Sequence, residues 1–97
     1  DEGFSEIEKV IAEDPKNYAA YGIAASFYEQ LRKYDKAIPL REKMHELDPW
    51  GAQNLLTLGN DYLAIGDKEN ARRAGKAILN MLSQEVVRQA AKTQLGA

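Results

Sequence analysis

A spacing of 34 residues repeats within this chain of 97 residues. Pro15 and Pro49 lie 34 positions apart, and an Asp precedes each of them. Between the two prolines, apolar residues recur at steps of three and four, which places them on one face of a helix. Proline cannot continue a helical hydrogen-bond ladder and pushes the preceding residue out of the helical region. The repeat therefore predicts helices that stop at each Asp-Pro pair.

The apolar positions of the first unit are matched 34 residues later. On the first helix of each unit, Tyr21, Ala24, Tyr28 and Leu31 map onto Leu55, Leu58, Tyr62 and Ile65. On the second helix, Ala37, Leu40, Met44 and Leu47 map onto Ala71, Ala74, Ile78 and Met81. Because each set keeps helical spacing, the chain is predicted to hold two copies of one helical hairpin.

The helix boundaries follow from capping residues, and we predict six helices with no strand. The predicted helices span residues 3–13, 17–31, 35–47, 52–65, 68–82 and 84–95. Gly66 suits the left-handed residue that ends a helix, and Asp67 suits the N-cap of the next one. Arg32 stands where the second unit has Gly66, so we expect the first turn to be built differently. Ser83 is a candidate N-cap, which predicts a boundary between the last two helices.

Length favours one domain, and the helical periodicity predicts that it is all-α. We divide it into a partial repeat helix at 1–15, repeats at 16–49 and 50–83, and a C-terminal capping helix at 84–97. Apolar residues make up 44% of the chain and charged residues 29%, which is a globular balance. The N-terminus has neither Met nor a signal-peptide pattern, so we expect an excised domain or a processed product.

Charge and residue content argue against several functions. The formal net charge of −2 gives no general attraction to nucleic acid. The chain has no cysteine, and its longest apolar stretch, 18–28, is shorter than the roughly 20 residues of a membrane helix. His45 is the only histidine and has no metal-ligand or catalytic spacing around it, so we expect an ordinary surface or edge residue. The sequence therefore predicts no enzyme, cofactor, metal site, nucleic-acid partner or direct membrane insertion.

The order of bulky and small residues identifies a family resemblance. The second unit reads Leu55-x-x-Leu58-Gly59-x-x-Tyr62, followed by Gly66 and Ala71. The first reads Tyr21-x-x-Ala24-Ala25-x-x-Tyr28, followed by Ala37 and Pro49. This pattern, with its period of 34, resembles the tetratricopeptide repeat family. The resemblance implies antiparallel helical hairpins stacked as a right-handed solenoid, with Gly59 where paired helices approach closely.

Several residues depart from that family pattern. Arg41 and Gly75 stand where a large aromatic residue is usual, and Arg32 stands where Gly is usual. Pro39 falls inside a predicted helix, where it removes a hydrogen bond and favours a kink. The last predicted helix breaks the register of the repeat. Its apolar residues are Val86, Val87, Ala90, Ala91 and Leu95, a pattern that favours a cap.

By the same resemblance, a peptide or partner helix binds in a concave groove lined by the first helix of each hairpin. The candidate peptide-binding residues are Ile23, Ser26, Gln53, Leu56, Thr57, Asn60 and Leu63, and Ala19, Gly22 and Glu29 are also expected to face the groove. A clamp for a peptide carboxylate is disfavoured, because Leu56 replaces the expected lysine. The apolar members suit an amphipathic helix or an extended apolar peptide. Alternatively, the last helix covers this groove as a cap.

Other interpretations stay open from the sequence. The array could be a structural, spacing or oligomerisation module of a larger chain, so a homo-oligomer is possible. The stretch 48–54, followed by Leu58-Gly59, is similar to tetratricopeptide tails of bacterial O-antigen ligase-like or polymerase-like membrane proteins. This second resemblance covers only the second unit.

Two surface features complete the sequence predictions. Trp50 is expected to pack on the adjacent hairpin, because large aromatic side chains gain most from burial, with an exposed residue for partner binding as the alternative. Lys68, Arg72 and Lys76 are spaced by four and form one basic stripe. We expect this stripe to be a solvated outer face, with an acidic or phosphate-bearing partner as the alternative.

Overall fold

The computed structural model describes the backbone of residues 2–96 and the side chains of residues 5–92. Residues 2–96 form five α-helices and no strand. Their bounds are α1 (Glu2–Glu13), α2 (Tyr18–Gln30), α3 (Tyr34–Leu47), α4 (Ala52–Ala64) and α5 (Lys68–Gly96). Each helix packs against the next one along the chain. The predicted all-α architecture of stacked hairpins is confirmed.

Side chains at the helix starts explain two of the boundaries. The Oδ1 atom of Asn17 accepts a hydrogen bond of 3.1 Å from the backbone N–H of Ala20, which begins α2. The Oδ1 atom of Asp67 accepts one of 3.2 Å from the backbone N–H of Asn70, which begins α5. Such caps satisfy donors that have no partner within the helix. The predicted N-cap role of Asp67 is confirmed.

The two hairpin turns share one backbone conformation. Gly66 has φ +82° and Arg32 has φ +60°, so both are left-handed. The backbone N–H of Lys33 donates to the carbonyl of Tyr28 at 2.9 Å, and that of Asp67 donates to Tyr62 at 2.8 Å. Both bonds close the same helix-ending motif. The expectation of a different turn at Arg32 was wrong, because the closing hydrogen bonds hold a non-glycine residue in the left-handed region.

The core lies between paired helices and is built around small residues. Ala25 on α2 and Ala37 on α3 are fully buried. A Cβ atom on Gly59 would lie 3.4 Å from the Cβ of Ala74 on α5, so α4 and α5 approach closely there. The larger members of the core cluster are Ile38, Leu55, Leu58 and Tyr62, with Ile78 and Met81 packed against them. The close approach expected at Gly59 is confirmed.

The last two predicted helices form one continuous helix. α5 runs from Lys68 to Gly96 through Ser83, so the predicted sixth helix and its cap were wrong. Serine is only weakly unfavourable inside a helix, and no Gly or Pro stands between Lys76 and Leu95 to stop it. α3 likewise runs without interruption through Pro39.

The C-terminal part of α5 extends away from the groove. Every side chain described from 82 to 92 is exposed, including Val86 and Val87. Leu95, which was expected to join this apolar set, lies outside the described side chains. No residue of this segment lines the clefts on α2 and α4 described below. The segment therefore does not cover the groove in this structure.

Candidate partner-binding groove

The candidate residues on α2 border an open cleft of about 590 Å³. It is lined by Ile23 and Ser26, together with Tyr18, Ala19, Gly22, Phe27, Gln30, Arg41 and Met44. Ile23 is 55% exposed although it is a large aliphatic residue. A Cβ on Gly22 would lie 3.2 Å from the Cε atom of Met44, so glycine permits the close approach of α2 and α3. This cleft offers apolar contact with a polar edge.

The candidate residues on α4 border a second and smaller pocket. Leu56, Asn60 and Leu63 line about 170 Å³ together with Gly75 and Ile78 of α5. Gln53 is exposed, and its carbonyl accepts a hydrogen bond of 3.2 Å from the hydroxyl of Thr57. Neither of these two residues lines the pocket. The structure thus places all seven candidates on α2 and α4, but five of them are divided between two clefts and Gln53 and Thr57 line neither.

A buried arginine ties α2, α3 and α4 together beneath these clefts. The Nε and Nη2 atoms of Arg41 donate to the two carboxylate oxygens of Glu29 at 2.9 and 2.8 Å. Nη2 also donates to the hydroxyl of Ser26 at 3.2 Å, and Nη1 donates to Oδ1 of Asn54 at 3.3 Å. The side-chain amide of Asn54 donates to the carbonyl of Arg41 at 2.9 Å. We call these residues, with Asp61, the Arg41 network.

The two carboxyl groups of the Arg41 network have opposite pKa shifts. Burial, followed by the hydrogen bond and charge of Glu29, raises the pKa of Asp61 to about 8. Burial also acts to raise the pKa of Glu29, but the hydrogen bonds from Arg41 and Asp61 outweigh it and leave that pKa below its ordinary value. At neutral pH, Asp61 therefore keeps its proton and Glu29 carries the charge that pairs with Arg41.

Glu29 was expected to face the groove, but the Arg41 network holds its side chain inside the fold. The carboxylate of Glu29 is held by Arg41 and its side chain is only 15% exposed, so it is committed inside the fold. Sequence reasoning missed the network because its members come from three helices. One signal was present: Arg41 occupies a position where the family pattern has a large aromatic residue. A cation at a core position requires a buried anion nearby.

The structure also shows the surroundings of Trp50 and His45, the two other residues for which the sequence made predictions. Trp50 was expected to pack on the adjacent hairpin, but its side chain is 61% exposed and only borders a cleft with Met81, Leu82 and Arg88. The backbone N–H of Trp50 donates to Oδ1 of Asp48 at 3.2 Å. His45 is half-buried, and its Nδ1 atom has no hydrogen-bond partner among the described residues.

Another cleft lies where α1 meets the first hairpin. It measures about 630 Å³ and is lined by Ile11, Tyr28, Pro39 and Leu40, with Glu8, Ala12, Ala24, Asp35 and Lys36.

Among the described side chains, no three His, Cys, Asp or Glu residues are grouped to hold a metal ion. None of the helices within the described residues is both long enough and apolar enough to cross a membrane.

Solved crystal structures include proteins whose fold is similar to that of this chain. A crystal structure of MamA protein superposes with a TM-score of 0.79 at 22% sequence identity, covering 86% of this chain and 45% of that one. A second MamA structure gives a TM-score of 0.78 at 22% identity, covering 48% of its chain. No protein-family model and no curated protein matches the chain. This chain therefore spans about half the length of the MamA structures and shares their fold.

Proposed function

We propose that this chain is a protein-interaction scaffold that holds a peptide or helix of a partner against α2 and α4, and that it is not an enzyme. The observation that carries this proposal is a set of large aliphatic side chains left in solvent on these two helices. Ile23, Leu56 and Leu63 are each more than half exposed, while the opposite faces of α2 and α4 form the core. Exposed aliphatic residues grouped beside clefts are typical of interaction surfaces.

The polar candidates suit contact with a peptide backbone. Asn60 and Gln53 both carry exposed amides, which donate and accept hydrogen bonds. Ser26 is half-buried, and its hydroxyl oxygen already accepts from Arg41, so it has a proton left to donate. This mixture of aliphatic and uncharged polar groups favours an amphipathic or apolar segment over a charged one.

Paired substitution tests the proposal. Peptides selected on the wild-type chain from a displayed library should lose binding to a variant carrying Leu56→Asp with Asn60→Ala, as measured by fluorescence anisotropy. Both residues are exposed, so the far-UV circular dichroism and the melting temperature should change little. Val87→Asp, which also replaces an exposed aliphatic residue but lies far along α5, is the control and should bind like wild type.

Two results would contradict the proposal. Unfolding of the paired variant would mean that Leu56 and Asn60 belong to the core. Undiminished binding by a folded paired variant would mean that the selected peptides use another surface.

A spacing or oligomerisation module is the second candidate, and the exposed end of α5 favours it. The described side chains from 82 to 92 are all exposed. Sedimentation velocity over a range of concentrations tests this role, since an oligomerisation module should change its sedimentation coefficient. The further suggestion of a tail from a membrane glycan ligase-like or polymerase-like protein rests on the second repeat alone and stays a prediction.

A further inference from the structure

The internal repeat shows how a helix is seated on the first hairpin. α4 packs against α3, where Ile38 joins the core cluster with Leu55 and Leu58. Arg41 donates to Asn54 of α4, and the carboxylate of Glu42 accepts a hydrogen bond of 2.8 Å from the Tyr62 hydroxyl. α4 therefore packs on the face of α3 formed by residues 38, 41 and 42, and we call this face the seat of α4.

The same face of the second hairpin carries no helix among the described residues. The residues 34 positions after those of α3 are Arg72, Gly75 and Lys76. Arg72 and Lys76 are exposed, and Gly75 lines the pocket of about 170 Å³ with Leu63 and Ile78. Leu79, one turn further on, is 64% exposed. We call the surface of Leu63, Arg72, Gly75, Lys76 and Leu79 the α5 face.

The α5 face differs in chemistry from the seat of α4. Arg41 and Glu29, which form an ion pair in the first hairpin, correspond to Gly75 and Leu63 in the second. A helix packed there would therefore meet Leu63 and Gly75 in place of that ion pair, and Arg72 in place of the buried Ile38. Glu42 corresponds to Lys76, so the sign of the charge at the rim is reversed.

The charged side chains on the α5 face are basic. Arg72 and Lys76 belong to the face and Lys68 lies one turn before Arg72, although the whole chain has a net charge of −2. The basic stripe of Lys68, Arg72 and Lys76 continues at helical spacing into exposed Leu79 and Leu82. Pairing of this face with itself in a second copy would bring like charges together, whereas carboxylates would be attracted.

We propose that the α5 face binds an amphipathic helix of a partner protein in the position that α4 takes on α3. The apolar side of the partner helix covers Gly75 and Leu79, and its carboxylates meet Arg72 and Lys76. The α5 face shares Leu63 and Gly75 with the pocket on α4, so the inference rests on the proposed groove function there and extends it to α5. It also assigns a role to the basic stripe.

A peptide designed from α4 tests the inference on the full chain. The probe is a fluorescein-labelled peptide with the sequence of residues 51–67, carrying Asp61→Leu and Tyr62→Glu. The first change removes the carboxyl group that would face Leu63 and Gly75, and the second places a carboxylate opposite Lys76. Anisotropy should show saturable binding that weakens with added salt, because rim charges are screened.

Matched variants locate the binding surface. Lys76→Glu and Leu79→Asp should each weaken binding about tenfold or more, since one reverses a rim charge and the other places a charge in the apolar centre. Arg73→Glu changes the net charge equally but lies on another side of α5, where Arg73 pairs with Glu69 at 3.6 Å. Val87→Asp is the control for Leu79→Asp. Both controls should bind within about twofold of wild type.

Three results would overturn the inference. The first is absence of saturable binding, and the second is an equal loss of affinity with Arg73→Glu and Lys76→Glu. The third is a loss with Ile23→Asp but not with Leu79→Asp, because the peptide would then lie in the cleft on α2. That third outcome would leave the proposed groove function standing while removing the α5 face.

Discussion

At the scale of single residues, the turn between α2 and α3 places Arg32 in a backbone conformation that favours glycine. Its φ of +60° is left-handed, and the equivalent turn in the second hairpin uses Gly66 at φ +82°. A side chain in this region costs roughly 1 kcal/mol or more, while glycine adds about 0.5–1 kcal/mol of entropy cost on folding. For a change of Arg32 to glycine, these two effects nearly offset each other, and the relief of backbone strain is the larger.

We predict that Arg32→Gly raises the free energy of unfolding by up to about 1 kcal/mol, because it removes this strain. Gly66→Ala should lower it by a similar amount, since it introduces the same strain in the second turn. Urea unfolding followed by circular dichroism measures both changes. A loss of stability with Arg32→Gly would show that the arginine side chain contributes more than its backbone costs.

The Arg41 network makes stability depend on pH. The pKa of Asp61 is raised to about 8 in the folded chain, against about 4 when unfolded. Between these values the unfolded chain has released a proton that the folded chain keeps, so the free energy of unfolding falls as pH rises from about 4 to about 8. Glu29 acts oppositely: its lowered pKa gives stability that is lost as pH falls below its ordinary range.

We predict that Asp61→Asn flattens the decline in stability between about pH 4 and pH 8, because asparagine cannot ionise. The wild-type slope contributed by this group is at most about 1.4 kcal/mol per pH unit. Urea unfolding at several pH values compares the two slopes. Asp14→Asn, at an exposed site, is the control. Parallel curves for wild type and Asp61→Asn would refute the assignment of a protonated Asp61.

At the scale of helices, the contact between α4 and α5 depends on Gly59. A Cβ there would lie 3.4 Å from the Cβ of Ala74 and 3.9 Å from the carbonyl of Ala71, so one methyl group fits but a branched side chain does not. The glycine costs about 0.5–1 kcal/mol relative to alanine inside a helix. Close packing of α4 on α5 offsets that cost.

We predict that Gly59→Leu lowers the free energy of unfolding by about 1–3 kcal/mol or more, because the added side chain forces α4 and α5 apart. Gly59→Ala should be close to neutral, since the distance is at the edge of ordinary contact and alanine favours the helix. Thermal unfolding measures both. Equal melting temperatures for wild type and Gly59→Leu would mean that no close contact exists at this position.

At the scale of the whole molecule, the fold is a thin array with extents of 57 × 32 × 17 Å. Each helix packs mainly against its neighbours along the chain, as expected for a repeat protein. α5 contains 29 residues and is therefore about 44 Å long, so it extends beyond the shorter α4. Stability is consequently expected to be uneven along the chain, because none of the described side chains from 82 to 92 is buried.

We predict that backbone amides at 84–92 exchange hydrogen far faster than those at 55–62. The first segment has only exposed side chains, whereas Leu55, Leu58 and Tyr62 are buried in the core. Hydrogen-exchange mass spectrometry of the full chain measures this difference. Equal protection of the two segments would show that residues 84–92 pack against another part of the chain or against a second copy.

Much of the fold was predictable because it depends on local patterns. The spacing of Pro15 and Pro49 and the helical steps of apolar residues predict paired helices without reference to distant contacts. The N-cap at Asp67 and the left-handed Gly66 are equally local. The candidate groove residues were assigned to α2 and α4 by the family resemblance, and all but Ser26 and Thr57 are exposed. Their role in binding stays a prediction.

Other features depended on contacts between helices. The bond from Arg41 to Glu29 joins residues 12 positions apart, and Asn54 and Asp61 come from a third helix, so no local pattern indicates the network. The continuity of α5 through Ser83 was decided by the balance between a weak cap and helix propensity, which local signals do not settle. Periodicity thus determined the helices up to α4 and the start of α5, whereas the burial of the charged Arg41 network was decided only in the tertiary structure, because its partners come from three helices.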